Sequence, residues 1–355
     1  MRPFFSITAA AETGRYHCQS HVEVRPLQTL DPVNAVCDAI AAIAMALPAE
    51  DDRIICLHAA GVVLAGRIVV FPNVRRAGKS TLSAGLAQAG HPVFSDDVLP
   101  IRFPGGKVAL VQSMGIAPRL RLPLPATLPQ AFRDWAAAVP GPGNRQYKYL
   151  SLPEAPVWGD SLPVGAFVIL DRQDGPVAAR LEPVPPDAAM DVLLHQHFTR
   201  DRHSGDILDV MAATLQALPV WRLSYADLGD AVACLQAGLA GWPQVPDLSA
   251  PAVRFRLADF ATPLSPPGDG APLMQRAGAV ARVIGEGLYL ADPEGRAIHR
   301  MDPLAAAIWD LLDTPATADE VADLLAEAFP EADRAQLLDD VTGLLSSLVA
   351  AGLVG

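Results

Sequence analysis

Short apolar runs alternate with helical periods along the first two thirds of the chain. Ile54–Leu57 and Val62–Leu64 have strand length, and Arg67–Phe71 follows the second across Ala65-Gly66, the spacing of a tight hairpin. Lys79–Ala89 carries Leu82 and Leu86 one helical turn apart, which predicts a helix with one apolar face. A short strand is expected at Pro92–Ser95. Ile101–Phe103 and Val108–Val111 are expected to flank a Gly105-Gly106 turn. Further on the pattern predicts strands at Ala166–Leu170 and Val220–Ser224. Helices are predicted at Ala188–His197, Ser204–Leu218 and Asp230–Leu239. Such alternation predicts an α/β domain with a mixed sheet.

A different pattern occupies the end of the chain. Strands are expected at Ala279–Ile284, Leu288–Ala291 and Ala297–Arg300, followed by three helices. Asp302-Pro303 supplies a cap and a first helical residue, with Ile308, Leu311 and Leu312 behind them. Thr317 and Glu320 have the spacing of a capping box. Leu337, Leu338, Val341, Leu344, Leu345 and Leu348 recur at helical spacing up to Gly352. Between the two patterns, Gly241 to Pro272 holds Pro243, Pro246, Pro251, Pro263, Pro266, Pro267 and Pro272, which predicts a semi-rigid linker. The expected division is 1–242, a linker at 243–275, and a small α+β, winged-helix-like domain at 276–355.

Composition narrows the function classes. Of the net charge of −12, residues 276–355 hold 14 acids and 5 bases, a net −9, which argues against nucleic acid as a partner. No run reaches the roughly 18 uninterrupted apolar residues of a membrane helix. Ala35–Leu47, which contains Asp38, is expected to be a buried amphipathic helix. The N-terminus shows neither a secretory nor a transit pattern, so a cytoplasmic location is expected. Cys18, Cys37, Cys56 and Cys234 lack metal-ligand or disulfide spacing and are expected to be reduced thiols.

The candidate chemistry lies at the start of the Lys79 helix. Asn73, Arg76, Ala77, Gly78, Lys79, Ser80 and Thr81 follow a strand and open a helix, where backbone N–H groups can face a phosphate. Lys79 would reach the β- and γ-phosphates, and the Ser80 hydroxyl would bind Mg²⁺. Asn73 replaces the first glycine of the usual loop; among non-glycine residues asparagine tolerates positive φ best. Asp96-Asp97 end the next strand, 17 residues after Lys79. In an open α/β sheet that end is the ligand crevice, and phosphoryl transfer needs carboxylates for metal and base.

Together, His58-Ala59-Ala60-Gly61-Val62, the Lys79 loop and Gly90-His91-Pro92-Val93-Phe94-Ser95-Asp96-Asp97 resemble the HPr kinase/phosphorylase family, especially its short HPr-kinase-related members. The resemblance spans about residues 50–240 and implies a P-loop kinase domain of HPr kinase type. It implies Asp96 as base, Asp97 as Mg²⁺ ligand with Ser80, and His58 near the transferring phosphate. His58 departs from the family's His-Gly pair, and a packed core histidine is an equal reading. Thr81 stands where the bifunctional enzymes often carry a glutamate, which speaks against phosphorylase activity. Ala117-Pro118-Arg119-Leu120-Arg121-Leu122-Pro123 resembles a basic segment of the same kinases, so Arg119 or Arg121 would neutralise phosphate charge; a solvated strand edge is the alternative. Lys148 is a weaker candidate of that kind. The run Thr199-Arg200-Asp201-Arg202-His203 is either a cover for the nucleotide or a solvated connection.

The final segment, through His299-Arg300-Met301-Asp302-Pro303, Ala305-Ala306-Ala307-Ile308-Trp309 and Thr317-Ala318-Asp319-Glu320-Val321, resembles the PqqD-like peptide-recognition modules. That resemblance implies a leader peptide added as a strand and packed on the last helix. An internal scaffold without a peptide partner is the alternative. The combined expectation is a kinase using ATP or another NTP with Mg²⁺, acting on a Ser or Thr hydroxyl of a recruited peptide. A nucleotide-switched peptide-binding protein and a small-metabolite kinase remain as rivals.

Overall fold

The computed structural model describes residues 4–10, 13–22, 26–72, 77–105, 108–199, 201–242, 252–263 and 270–355. Asn73, Arg76, Arg200, Gly106 and most of the prolines between 243 and 269 lie outside them. The chain divides into two compact units. The first comprises 1–199 and 214–254; the second comprises 200–213 and 255–355. This division differs from the one read at 243–275. Proline removes backbone donors but does not prevent packing. Val253 donates to the Phe103 carbonyl and Arg254 pairs with Asp52 in the first unit, while Phe255 is buried in the second.

The first unit is built on a nine-stranded mixed sheet. Its path runs Ile54–Leu57, Leu99–Gly105, Val108–Gln112, Ser161–Arg172, Arg67–Phe71, Ala60–Leu64 and Val93–Ser95. Val220–Tyr225 lies parallel to Ser161–Arg172 and pairs in turn with Arg180–Pro183. Ser161–Arg172 is the long central strand. Its first residues run antiparallel to Val108–Gln112, and from Val164 it runs parallel to Arg67–Phe71, with a register shift between Val164 and Ala166. Irregularities of this kind bend a strand and increase its twist, which curls the sheet. The expected hairpin is present: Ala60–Leu64 pairs with Arg67–Phe71, and Ala65 and Gly66 both have positive φ, as a two-residue turn of this hand requires. Helices Lys79–Gln88 and Leu228–Gly238 cover the sheet through Leu82, Leu86, Ala231 and Leu235, all buried in one apolar cluster with Val69, Phe71 and Leu223.

Several elements escaped the sequence reading, the strand Arg180–Pro183 among them. The strands Phe5–Ala10, Arg15–Ser20 and Gln28–Leu30 form a separate antiparallel sheet. The helix Gln130–Ala138 buries Phe132 and Ala136. Arg119–Arg121 and Tyr147–Tyr149 form a two-stranded ribbon. A further correction concerns the first helix, Pro32–Glu50, capped by the Asp31 carboxylate on the N–H groups of Val33 and Asn34. At 19 residues it is long and apolar enough to cross a membrane by length and composition, because its mean hydropathy stays high despite Asn34 and Asp38. In this structure it is a packed helix: Ile40, Ile43, Ala44 and Leu47 meet Ile54, Cys56, Val98, Met114 and Ile116.

The second unit has the expected small α+β form. Val280–Ile284, Gly287–Ala291 and Ile298–Met301 make an antiparallel sheet, with Gly287–Ala291 central and Ile298–Met301 at one edge. Helices Pro303–Leu311, Ala318–Ala328 and Arg334–Ala350 follow. The first is capped by Asp302 and the second by the Thr317–Glu320 box. Ile308, Trp309, Leu312, Val321, Val341, Leu345 and Leu348 close the core.

Candidate active site

The Lys79 helix starts on a backbone that only glycine adopts without strain. Gly78 has φ 97°, and a Cβ there would lie 3.0 Å from the Tyr225 hydroxyl. No side chain caps the helix, so its first N–H groups remain available at the carboxyl edge of the sheet. Two strands away along the sheet, Val93–Ser95 ends in a turn closed by the Ser95 hydroxyl, which donates to the Val98 carbonyl at 2.6 Å. Asp97 in that turn has φ 69°, a left-handed conformation rare outside glycine and concentrated at functional sites.

The structure brings the predicted residues together. A cleft of about 680 Å³ is lined by His58, Gly78, Lys79, Ser80, Thr81, Asp97, Arg119 and Arg121. Ala77 is half-buried beside Gly78. Lys79 is 6% exposed, and its Nζ lies 3.4 Å from His58 Nε2. The same His58 nitrogen lies 3.6 Å from Asp97 Oδ1. One ring nitrogen cannot accept from an ammonium and donate to a carboxylate at once. Arg119 Nη2 pairs with Asp97 Oδ2 at 3.1 Å, and the Arg119 backbone N–H donates to Asp96 Oδ2 at 3.2 Å. Asp96 is completely buried, and its Oδ1 has no hydrogen-bond partner among the described residues.

The two carboxyls are driven apart. Burial, then the neighbouring Asp97 charge, pushes Asp96 up to about 6, against the pull of Ser80, the Arg119 N–H and Lys79. Burial also acts to raise Asp97, but the His58 hydrogen bond and the Arg119, His58 and Lys79 charges together outweigh it and hold Asp97 below the usual carboxylate value. Burial lowers Lys79, offset in part by both aspartates. The folded state therefore favours protonated Asp96. That contribution to stability is present below the ordinary value of 3.8 and is lost as pH rises through about 6. Asp97 acts with the opposite sign: its contribution is present above the ordinary value and is lost as pH falls through its lowered one. Their surroundings thus separate the two adjacent carboxyls, favouring the protonated form of Asp96 and the ionised form of Asp97.

Two candidates of the sequence reading lie elsewhere. Lys148 Nζ donates to the Ala136 and Ala137 carbonyls and so caps the helix Gln130–Ala138. Of the run from Thr199, the described residues are not among those lining the cleft. Thr199 Oγ1 accepts from the Cys56 N–H in the first unit, and Arg202 and His203 are buried within the second. Conversely, Leu124, Pro125, Tyr147 and Arg172 line the cleft without having been singled out. Arg172 was recoverable in principle, since it ends the strand parallel to Arg67–Phe71 at the ligand edge.

Residues 287–354 match the family described as coenzyme PQQ synthesis protein D (PqqD), in agreement with the resemblance read from the sequence. The structure of the Hpr(Ser) kinase/phosphatase from Coxiella burnetii is 14% identical over 48% of this chain and 85% of that one, with a TM-score of 0.24. No curated protein matches the chain.

Proposed function

We propose that the chain is an NTP- and Mg²⁺-dependent kinase that phosphorylates a Ser or Thr hydroxyl on a peptide recruited by its PqqD-like module. The observation that carries the reading is one cleft in which Lys79, Ser80, Arg119 and Arg121 face an anion-sized space beside Asp97 and the buried Asp96. This is a local cationic site in a chain of net charge −12.

The residues present fit magnesium and nucleotide. Asp97 is held ionised, Ser80 lines the same cleft, and Asp96 keeps an unpartnered oxygen. Ser80 and Asp97 would hold the ion, with the remaining hard oxygen ligands drawn from phosphates and water. When bound, Mg²⁺ supplies neutralisation of phosphate charge. Phosphate binding falls to the segment from Asn73 and Arg76 through Ala77, Gly78, Lys79, Ser80 and Thr81. Asp96 takes the proton of the acceptor hydroxyl as its oxygen bonds to the γ-phosphorus. Lys79, with Arg119 or Arg121, stabilises the charge that passes to the leaving diphosphate. His58 orients Asp97 from the opposite side to Arg119.

The rate of label transfer from γ-labelled ATP as a function of pH tests this. A base raised to about 6 is deprotonated above that value. The expected kcat/KM therefore has a plateau above about 6 and falls tenfold per pH unit below it. A flat profile between pH 5 and 8 would remove Asp96 as base.

Recruitment has its own test. Leu304 is 43% exposed and lines an apolar groove with Ile308, Leu337 and Leu344 in the second unit. Leu304→Arg should leave Mg·ATP affinity unchanged. It should weaken binding of the leader-bearing peptide by roughly tenfold or more, the cost of one lost apolar anchor with a charge in its place. Equal binding of that peptide by both proteins would take recognition away from this groove.

A further inference from the structure

The Arg119 side chain is held by residues that the phosphoryl-transfer scheme does not use. Arg119 Nη1 donates to Cys37 Sγ at 2.7 Å, and the same sulfur lies 3.3 Å from the Tyr149 hydroxyl. The guanidinium carbon sits 5.1 Å from the centre of the Tyr147 ring and 5.9 Å from that of Tyr149. These contacts follow from the fold. Arg119 is register partner to Tyr149 and Arg121 to Tyr147 across the two-stranded ribbon. Cys37 reaches them from the helix Pro32–Glu50, 82 positions earlier in the chain.

We propose that Cys37 is a positioning residue: with the two tyrosine rings it fixes the Arg119 guanidinium against Asp97. Its role rests on the kinase reading for its meaning. Arginine's long side chain carries large rotamer entropy. An arginine that must meet a transferring phosphoryl group loses catalytic effect if it spends that freedom in solvent. Here one terminal nitrogen is committed to Asp97 and the other to Cys37. The Tyr147 and Tyr149 rings fix the plane.

The choice of sulfur is informative. Asp97 already sets one carboxylate against Arg119. A second carboxylate at position 37 would orient the guanidinium equally well but would leave the cluster with a net negative charge, whereas a thiol accepts the hydrogen bond without adding one. Aromatic faces do the same, attracting the cation without carrying a formal charge.

The test uses the full-length protein with Cys37→Ala, Cys37→Ser and Cys37→Asp. Phenylglyoxal modification of Arg119 is followed by peptide mass spectrometry, with Arg121 on the same strand as internal reference. The clamp predicts that Cys37→Ala speeds modification of Arg119 by roughly tenfold, the effect of losing one hydrogen bond to a charged group, and leaves Arg121 unchanged. Cys37→Ser, which keeps a neutral acceptor, should stay close to wild type. In turnover, Cys37→Ala should lower kcat about tenfold with little change in nucleotide KM. Cys37→Asp should slow Arg119 modification yet lower kcat further. In an Arg119→Ala background, Cys37→Ala should add nothing.

An unchanged Arg119 modification rate in Cys37→Ala would overturn the proposal. So would a kcat loss that persists in the Arg119→Ala background. If modification responds to Cys37 as described while no acceptor is ever labelled, the clamp stands and the kinase reading fails.

Discussion

Replacing Lys79 with alanine is expected to weaken Mg·ATP binding and to lower transfer by roughly 10²–10³-fold, the usual cost of removing a donor aimed at developing charge. The size follows from its setting. Lys79 is 6% exposed at the first position of a helix whose N–H groups are uncapped, so its charge acts in a poorly solvated place. Its ammonium also compensates two carboxyls, and its loss removes a pull that keeps Asp96 from rising further. Circular dichroism should remain that of the wild type, because Lys79 opens its helix and the apolar face that packs it on the sheet is carried by Leu82 and Leu86. Calorimetry with Mg·ATP gives the affinity, and an unchanged value would remove the Gly78-Lys79-Ser80 turn from the site.

The second large effect belongs to the aspartates, which should separate cleanly. Asp96→Asn should reduce turnover by roughly 10²–10⁴-fold, the range for loss of a general base, while nucleotide remains bound. The same change should leave thermal stability unchanged or higher at pH 7. The reason is that the fold disfavours ionised Asp96, and an amide relieves the burial of that charge. Asp97→Asn should behave oppositely. It leaves the partners His58 and Arg119 without their carboxylate, lowers stability at neutral pH and raises the Mg²⁺ concentration needed for half-maximal rate. Thermal melts of the two variants at pH 7 and pH 5, beside Mg²⁺ titrations of the rate, check both signs. An Asp96→Asn protein with wild-type turnover would end its assignment as base.

Much of this site was legible because it is written locally. The hairpin turn at Ala65-Gly66, the Gly78 break before Lys79 and the Asp96-Asp97 pair at a strand end are each set by a few neighbouring residues. Capping signals were read equally well, since Asp302-Pro303 and Thr317 with Glu320 act on their own helices. What escaped was tertiary. The ribbon Arg119–Arg121 with Tyr147–Tyr149 is two three-residue strands, too short to show a period. Lys148 looked like a phosphate ligand in sequence because nothing local reveals that helix Gln130–Ala138 ends within its reach. Cys37 reads as an ordinary helical thiol, and only the fold carries it to Arg119. The packing of the proline-rich stretch is hidden for a different reason. Seven prolines from Gly241 to Pro272 predict a linker, yet within that span Phe255 is buried and Arg256 pairs with Asp206.

The most direct test of the central claim is transfer itself. Full-length protein is incubated with γ-labelled ATP, Mg²⁺ and the peptide encoded beside its gene, and the products are separated into peptide, small molecules and free phosphate. The account predicts label on a Ser or Thr hydroxyl of the peptide, dependent on Mg²⁺ and lost in Asp96→Asn. Label on a small molecule alone, or nucleotide bound without any transfer, would contradict it.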